Sequence, residues 1–197
     1  MTKADNQFLR ATRKHFEALR RTGPGPDAGA EPFPDDWFDL MPGVYADFGA
    51  MFYLASMTAF HRSRTLATAV STLEPALRLG QYHIFRSNGF PRAFVTWAGL
   101  DPQGERRFAI DHQPIAPEAW NSGPSVWLVD FVAPFGHFDQ IVPKLTANPD
   151  LRRLRALWHD ETGEGYRVME WSREGMDGPI AQRSFTPAEF AARLAEG

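Results

Sequence analysis

The chain contains no cysteine. That excludes a disulfide framework, thiolate catalysis, Cys-ligated zinc and iron–sulfur clusters. Lysine is scarce as well. Lys3, Lys14 and Lys144 stand against 18 arginines, so a mechanism running through a lysine of this chain has few candidates. No apolar run approaches the roughly 20 residues that a membrane-spanning helix requires. The start, Met1-Thr2-Lys3-Ala4-Asp5-Asn6, leads into charged sequence rather than the apolar stretch of a leader peptide, so a cytoplasmic protein is expected. An excess of basic charge is also missing. The net charge is −3, and no nucleic-acid partner is expected. What remains is a chain of 197 residues, 43% hydrophobic and 23% charged. This is the composition of a globular domain long enough to bury a core without covalent or metal staples.

Residues 3–22 read as a helix, with Phe8, Ala11, Phe16 and Leu19 forming a thin apolar stripe among basic side chains. Gly23-Pro24-Gly25-Pro26-Asp27-Ala28-Gly29-Ala30 suits neither helix nor strand and reads as a flexible linker, which Pro32 and Pro34 extend. Residues 1–36 therefore read as an N-terminal appendage, and residues 37–197 as the main domain, with compact structure starting near Trp37. The appendage is either an arm that docks a partner or builds a homodimer, or a weakly ordered tail.

The main domain opens with an almost wholly apolar segment, residues 44–57, suited to a buried helix. Leu66, Val70, Leu73 and Leu77 fall at helical spacing across 65–79, and Gly80 supplies the stop. Strands are expected at 81–86 and 93–97, joined by the hairpin-turn pair Asn88-Gly89. Further strands are expected at 106–110, 126–132, 154–158 and 166–171. A short helix is expected at 138–146 despite Pro143 inside it. Thr186-Pro187-Ala188-Glu189 is a capping box with proline at the first helical position, and it starts a last helix. The order predicts an α/β (α+β) domain built on a mostly antiparallel central sheet flanked by helices.

The six histidines, His15, His61, His83, His112, His137 and His159, form no HxH, HxxxH or HExxH pattern, so no metal site is expected. GxSxG and P-loop motifs are absent too. Catalysis, if present, rests on histidine and carboxylates. His61 lies at the junction of two expected helices, beside Arg62 and Arg64. Neighbouring positive charge disfavours imidazolium, and a neutral imidazole is a competent general base. A surface or capping histidine would fit the same position. Asp130 falls within the apolar strand Val126-Trp127-Leu128-Val129-Asp130-Phe131-Val132. Strict alternation puts it on one face with Val126, Leu128 and Val132, opposite Trp127, Val129 and Phe131. A carboxylate there is costly without a partner, so it either orients a histidine or is a structural aspartate bonded to backbone amides. Asp111 either positions a substrate or caps a turn. The loop Ala133-Pro134-Phe135-Gly136 joins a strand to a helix, a junction that offers backbone amides to an anion.

Residues 118–136 closely resemble the signature of the RTX toxin-activating lysine acyltransferases of the hemolysin-activating type. The family pattern W-x-S-G-x-x-x-W-x-x-D-x-x-A-P-F-G is matched from Trp120 to Gly136. Phe60-His61-Arg62 resembles the family's catalytic histidine segment, and residues 91–98 resemble its P-x-A-(F or Y)-x-x-W-A hairpin strand. The resemblance covers roughly residues 48–160. It implies a GNAT-like acyltransferase fold and transfer of a fatty acyl group from acyl–acyl carrier protein to an internal lysine of an RTX-type protoxin. No bound cofactor is implied. The family's catalytic His and Asp fall on His61 and Asp130, a functional serine falls on Thr58, and a further acidic position falls on Asp111. With these, Pro134, Phe135 and Gly136 are the expected substrate-binding positions. Residues 1–45 have no counterpart in the short members of the family, and the match after Asp160 is loose.

On this reading His61 takes a proton from the acceptor lysine, Asp130 orients the imidazole, and backbone amides hold the oxyanion. The alternative is acyl transfer through His61 itself as nucleophile. An acidic carrier protein needs a basic surface, for which Arg152, Arg153 and Arg155, or Arg62, Arg64, Arg106 and Arg107, are the candidates. Phe60, Phe94, Trp97 and Trp127 are candidates to line an acyl groove, and core packing would place them as well. Two competing functions stand beside this one. One is a non-catalytic module that only binds the carrier protein. The other is an acyltransferase retargeted to a non-toxin protein through the N-terminal arm.

Overall fold

The computed structural model describes residues 40, 42–148, 150–160, 165–175 and 178–196. The expected N-terminal helix, the linker and the boundary near Trp37 lie outside these residues.

Helix α1, Pro42–Ser56, packs through Val44, Phe48, Met51 and Ala55, a stripe at helical spacing, together with Phe52 and Leu54. The sequence suggested a helix buried all round. Only this stripe is covered, and Tyr45 and Tyr53 on the other side are 43% and 59% exposed. The short α2, Ala59–Arg62, follows. Helix α3, Leu66–Leu79, is opened by Thr65, whose hydroxyl accepts from the Thr68 amide, and closed by Gly80 in the left-handed conformation at φ +67°. Its Leu73 and Leu77 join Met51, Leu54, Phe94 and Val132 in one cluster, which seats α1 and α3 together on the sheet.

Strands β1, Tyr82–Ser87, and β2, Phe90–Leu100, form a hairpin. Asn88 and Gly89 take φ +51° and +80°, the positive pair that a tight hairpin turn demands. The expected strand at 106–110 is instead part of helix α4, Pro102–Ala109. Its start decides this. Asp101 accepts from the Gly104 amide at 2.6 Å, and Pro102 occupies the first turn. The helix buries Glu105 and Ala109, one turn apart.

Strand β3, Ser125–Val132, is third of six in the order β1-β2-β3-β4-β5-β6. Helix α5, Phe138–Leu145, then leads into β4, Arg153–His159, which pairs parallel to β3. All other neighbours are antiparallel. The parallel ladder covers only Val126–Leu128 against Leu154–Ala156, and beyond it the edges of Phe131 and Phe138 meet the Trp158 ring. Strands β5, Tyr166–Ser172, and β6, Ala181–Phe185, complete the sheet. Strand β6 was not foreseen, because Ala-Gln-Arg-Ser-Phe carries no apolar alternation. The last helix, α6, Pro187–Glu196, begins at the expected capping box. The Glu189 amide donates to Thr186 Oγ1, and the Thr186 amide donates to Glu189 Oε2. Helices α1, α3, α4 and α6 cover one face of the sheet and α5 the other. This mixed α/β architecture around an open, mostly antiparallel sheet is consistent with the expected GNAT-like fold.

The register of β2 against β3 overturns the strict alternation expected for β3. Thr96 opposes Asp130, yet Trp97 opposes Leu128, so Val129 is an extra residue in β3. Such a bulge reverses the side chains that follow it. Asp130 and Val132 therefore share the face of Trp127, with Phe94, Thr96 and Ala98, beneath α1 and α3. Val126, Leu128 and Phe131 lie on the α5 face.

Candidate active site

His61 enters from α2 above the helix-covered face of β3. Its Nε2 lies 3.2 Å from Asp130 Oδ1, and its Nδ1 lies 2.8 Å from Thr58 Oγ1. The Asp130 carboxylate is almost wholly buried, and the imidazole keeps 15% of its surface exposed. Thr96, fully buried, holds Asp130 twice. Its hydroxyl donates to Oδ2 at 2.9 Å and accepts from the Asp130 amide at 3.0 Å. Thr58 also lies 3.0 Å from the Ala55 carbonyl.

Counting protons assigns the tautomer. An ionised carboxylate only accepts, so Nε2 must carry the hydrogen that reaches Asp130. In neutral His61 the basic lone pair is then on Nδ1, facing the Thr58 hydroxyl. Thr58 has one proton to give, either to Ala55 or to Nδ1. A buried carboxylate at one nitrogen and a hydroxyl at the other is an arrangement in which an imidazole can act as a base.

His61 and Asp130 open into a cavity of about 220 Å³ whose walls include Phe52, Ala55, Leu66, Ala69 and Leu73. On its other side His61 touches Phe60 edge-on, with ring centroids 5.1 Å apart, and Phe60 stacks on His159 at 4.5 Å. His112, His159 and Tyr166 continue this aromatic group, and Tyr166 donates to the Ala109 carbonyl. Burial first, then the charges of His112 and Arg64, hold His159 below the usual histidine range, with Asp160 opposing. Its Nδ1 has no hydrogen-bond partner among the described residues. Tyr166 is pushed up by burial and by the neighbouring Asp111 carboxylate.

The structure thus brings Thr58, His61 and Asp130 together. Asp111 is exposed and lies on the Tyr166 side of the aromatic group rather than in the cavity. Pro134, Phe135 and Gly136 follow the end of β3 and are not part of the cavity wall. The Gly136 amide expected to be open to an anion donates to the Ala133 carbonyl, and Phe135 lies beneath the Arg92 guanidinium. The four aromatic residues expected to line an acyl groove are not part of the cavity wall. Phe94 and Trp127 are core residues, Trp97 sits on the α5 face, and Phe60 is spent on His159. Arg155 is no surface cation either, because it is buried between Glu105 and Glu170. Thr96 was missed. It is the one hydroxyl-bearing residue within the apolar run Ala93-Phe94-Val95-Thr96-Trp97-Ala98, which was the available signal. His159 and Tyr166 had no such signal.

A half-buried histidine oriented by a buried carboxylate at an apolar cavity defines a site suited to base-assisted group transfer. The sequence profile of the RTX toxin acyltransferase family matches residues 44–172, and the chain belongs to that family. The leukotoxin-activating lysine-acyltransferase LktC of Mannheimia haemolytica serotype A1 is 31% identical over 70% of this chain and 83% of its own length. The RTX-I toxin-activating lysine-acyltransferase ApxIC of Actinobacillus pleuropneumoniae is 26% identical over 72% and 83%. The protein-lysine palmitoyltransferase CyaC of Bordetella bronchiseptica is 32% identical over 63% of each chain. No helix among the described residues is long and apolar enough to cross a membrane.

Proposed function

We propose that this protein is a protein-lysine acyltransferase. It moves a fatty acyl group from an acyl–acyl carrier protein thioester to an internal lysine of an RTX-type protoxin. His61 is the general base and Asp130 its orienting carboxylate. The observation that carries the reading is the Thr96–Asp130–His61 chain, which leaves Nδ1 as the basic nitrogen. The acceptor ammonium, with an ordinary pKa of about 10.4, is no nucleophile until it loses a proton. That proton passes to Nδ1, beside which Thr58 stands. The amine nitrogen bonds to the thioester carbonyl carbon, the C–S bond breaks, and the leaving thiolate takes the second amine proton. An amide and a free thiol result, and His61 returns its proton to solvent. The chain has no sulfhydryl of its own to form an acyl-cysteine, so the only thiol in the cycle is the donor's. Exposed Arg62, Arg106, Arg107, Arg152 and Arg153 offer positive surface to an acidic carrier protein.

The test is intact-mass analysis of a protoxin fragment after incubation with acyl carrier protein thioester and enzyme. Loss of a general base lowers the rate by about a hundredfold or more, so His61→Ala and Asp130→Asn should both reach that level while remaining folded. Acylation by His61→Ala at the parent rate would refute the assignment. Tight binding of the carrier protein with the thioester left intact, in the presence of acceptor, would indicate a binding module instead.

A further inference from the structure

The cavity at His61 lies between α1 and α3, with Asp130 as its floor. Its remaining walls come from Phe52, Ala55, Leu66, Ala69 and Leu73. Two hydroxyl residues also line it, and both are turned to their own helix backbones. Ser56 donates to the Tyr53 carbonyl and Thr72 to the Thr68 carbonyl. Apart from the catalytic pair and the arginines, the walls therefore present little that a polar occupant could bond. A bound water needs two to four polar partners, and away from His61, Asp130 and the arginines the wall offers only the two hydroxyl oxygens. Ala55 and Ala69, one on each helix, keep the space open because neither has a side chain long enough to fill it. Leu66, at 71% exposure, is an apolar residue for which the helix packing provides no cover. Arg62 and Arg64 line the same cavity and repel a lysine ammonium, whereas a hydrocarbon chain is indifferent to them.

We propose that this cavity is the subsite for the donor's acyl chain, and that Ala55, Ala69 and Leu73 set the chain length the enzyme accepts. The inference rests on the acyl-transfer reading above and deepens it. With the thioester carbonyl at His61, a chain entering the cavity passes between Ala55 and Ala69 toward Leu73, which is buried. Hydrophobic pockets discriminate by about tenfold or more per methylene, so filling this space changes chain preference rather than chemistry.

The experiment compares kcat/KM for octanoyl, lauroyl and palmitoyl carrier-protein donors with one protoxin fragment. Ala69→Phe should depress palmitoyl transfer at least about tenfold relative to octanoyl, with Ala69→Val showing the same trend more mildly if the larger variant folds poorly. Leu73→Ala should shift preference toward the longer chain. An unchanged chain-length profile in both Ala69 variants would overturn the proposal. So would an equal loss for all donors with a raised KM for the acceptor, which would place the lysine stem there. A separate arm titrates dodecanoate into the parent protein and follows methyl NMR signals. Shifts at Ala55, Ala69 and Leu73 support the subsite, and shifts confined elsewhere, or none, overturn it. If the parent transfers no donor at all, the acyl-transfer reading fails, and the dodecanoate arm still decides the cavity.

Discussion

Thr96 exchanges both of its hydrogen-bonding roles with Asp130, giving its hydroxyl proton to the side chain and taking the amide proton from the backbone. Thr96→Val keeps the shape and removes both bonds. The buried Asp130 amide then goes unpaired, at about 1–3 kcal/mol of stability. The carboxylate also loses the group that fixes its second oxygen, so kcat should fall with little change in the donor KM, and Thr96→Ser should restore it. Equal kcat for the Val variant and the parent would show that Thr96 only packs. His159 makes a different prediction. The unfolded chain takes up a proton near the ordinary 6.5, while the folded site resists it. The stability tied to neutral His159 is thus whole above about pH 6.5 and is lost as pH falls through the folded value. His159→Gln cannot be protonated there and should flatten the decline. Urea unfolding at about pH 7.5 and pH 5.5 measures this, and identical slopes in parent and variant would refute it. His61 and Asp130 were legible as residues because a histidine between helices and a carboxylate in an apolar strand are each anomalous. Their contact was legible only through the family resemblance, because it spans 69 positions in sequence and depends on how α2 lies over the sheet.

At the scale of elements, the sequence signals that held were local and chemical. Asn88-Gly89, Gly80 and the Thr186 capping box each name a backbone conformation, and the structure adopts it. The failure at 106–110 has the same root. The start of α4 is written at Asp101-Pro102, and the five residues read as a strand are too short to outweigh a cap. The bulge at Val129 was hidden for another reason, since nothing in an apolar run marks which residue is surplus. Gly123, within the motif that carries the family resemblance, has a physical role here. A Cβ built on it would lie 2.5 Å from the Asp101 backbone and 2.6 Å from the Leu100 carbonyl, where β2 turns into α4. Gly123→Ala must push those segments apart, at about 1–3 kcal/mol. Thermal denaturation should register it, and an unshifted midpoint would count against so tight an approach.

Across the whole molecule, one charged network ties the end of the sheet to two helices. Arg155 on β4 bonds Glu105 of α4 and Glu170 of β5, and Arg193 of α6 reaches Glu170 as well. Trp127 donates to Glu105 from β3. Arg153 and Arg155 stand two residues apart on one strand, so sequence treats them alike. Only the covering helices separate a solvated arginine from a buried one. Arg155→Met leaves the buried Glu105 without a cation and Glu170 with only the partly exposed Arg193, and should cost about 3–5 kcal/mol in urea unfolding. Pairing it with Glu170→Gln should recover part of that loss, and additive effects of the two changes would contradict the coupling. The surplus residue in β3 has a broader consequence for the whole chain. Asp130 faces His61 because Val129 stands outside the ladder, so that the residues that pair run Trp127, Leu128, Asp130 in strict alternation. Deleting Val129 would leave that alternation intact and the carboxylate still opposite Thr96, whereas a slip that drew Val129 into the ladder opposite Thr96 would turn the carboxylate toward α5. Drift along β3 is therefore free to change its composition, and even to lose the surplus residue, but not to draw that residue into the ladder.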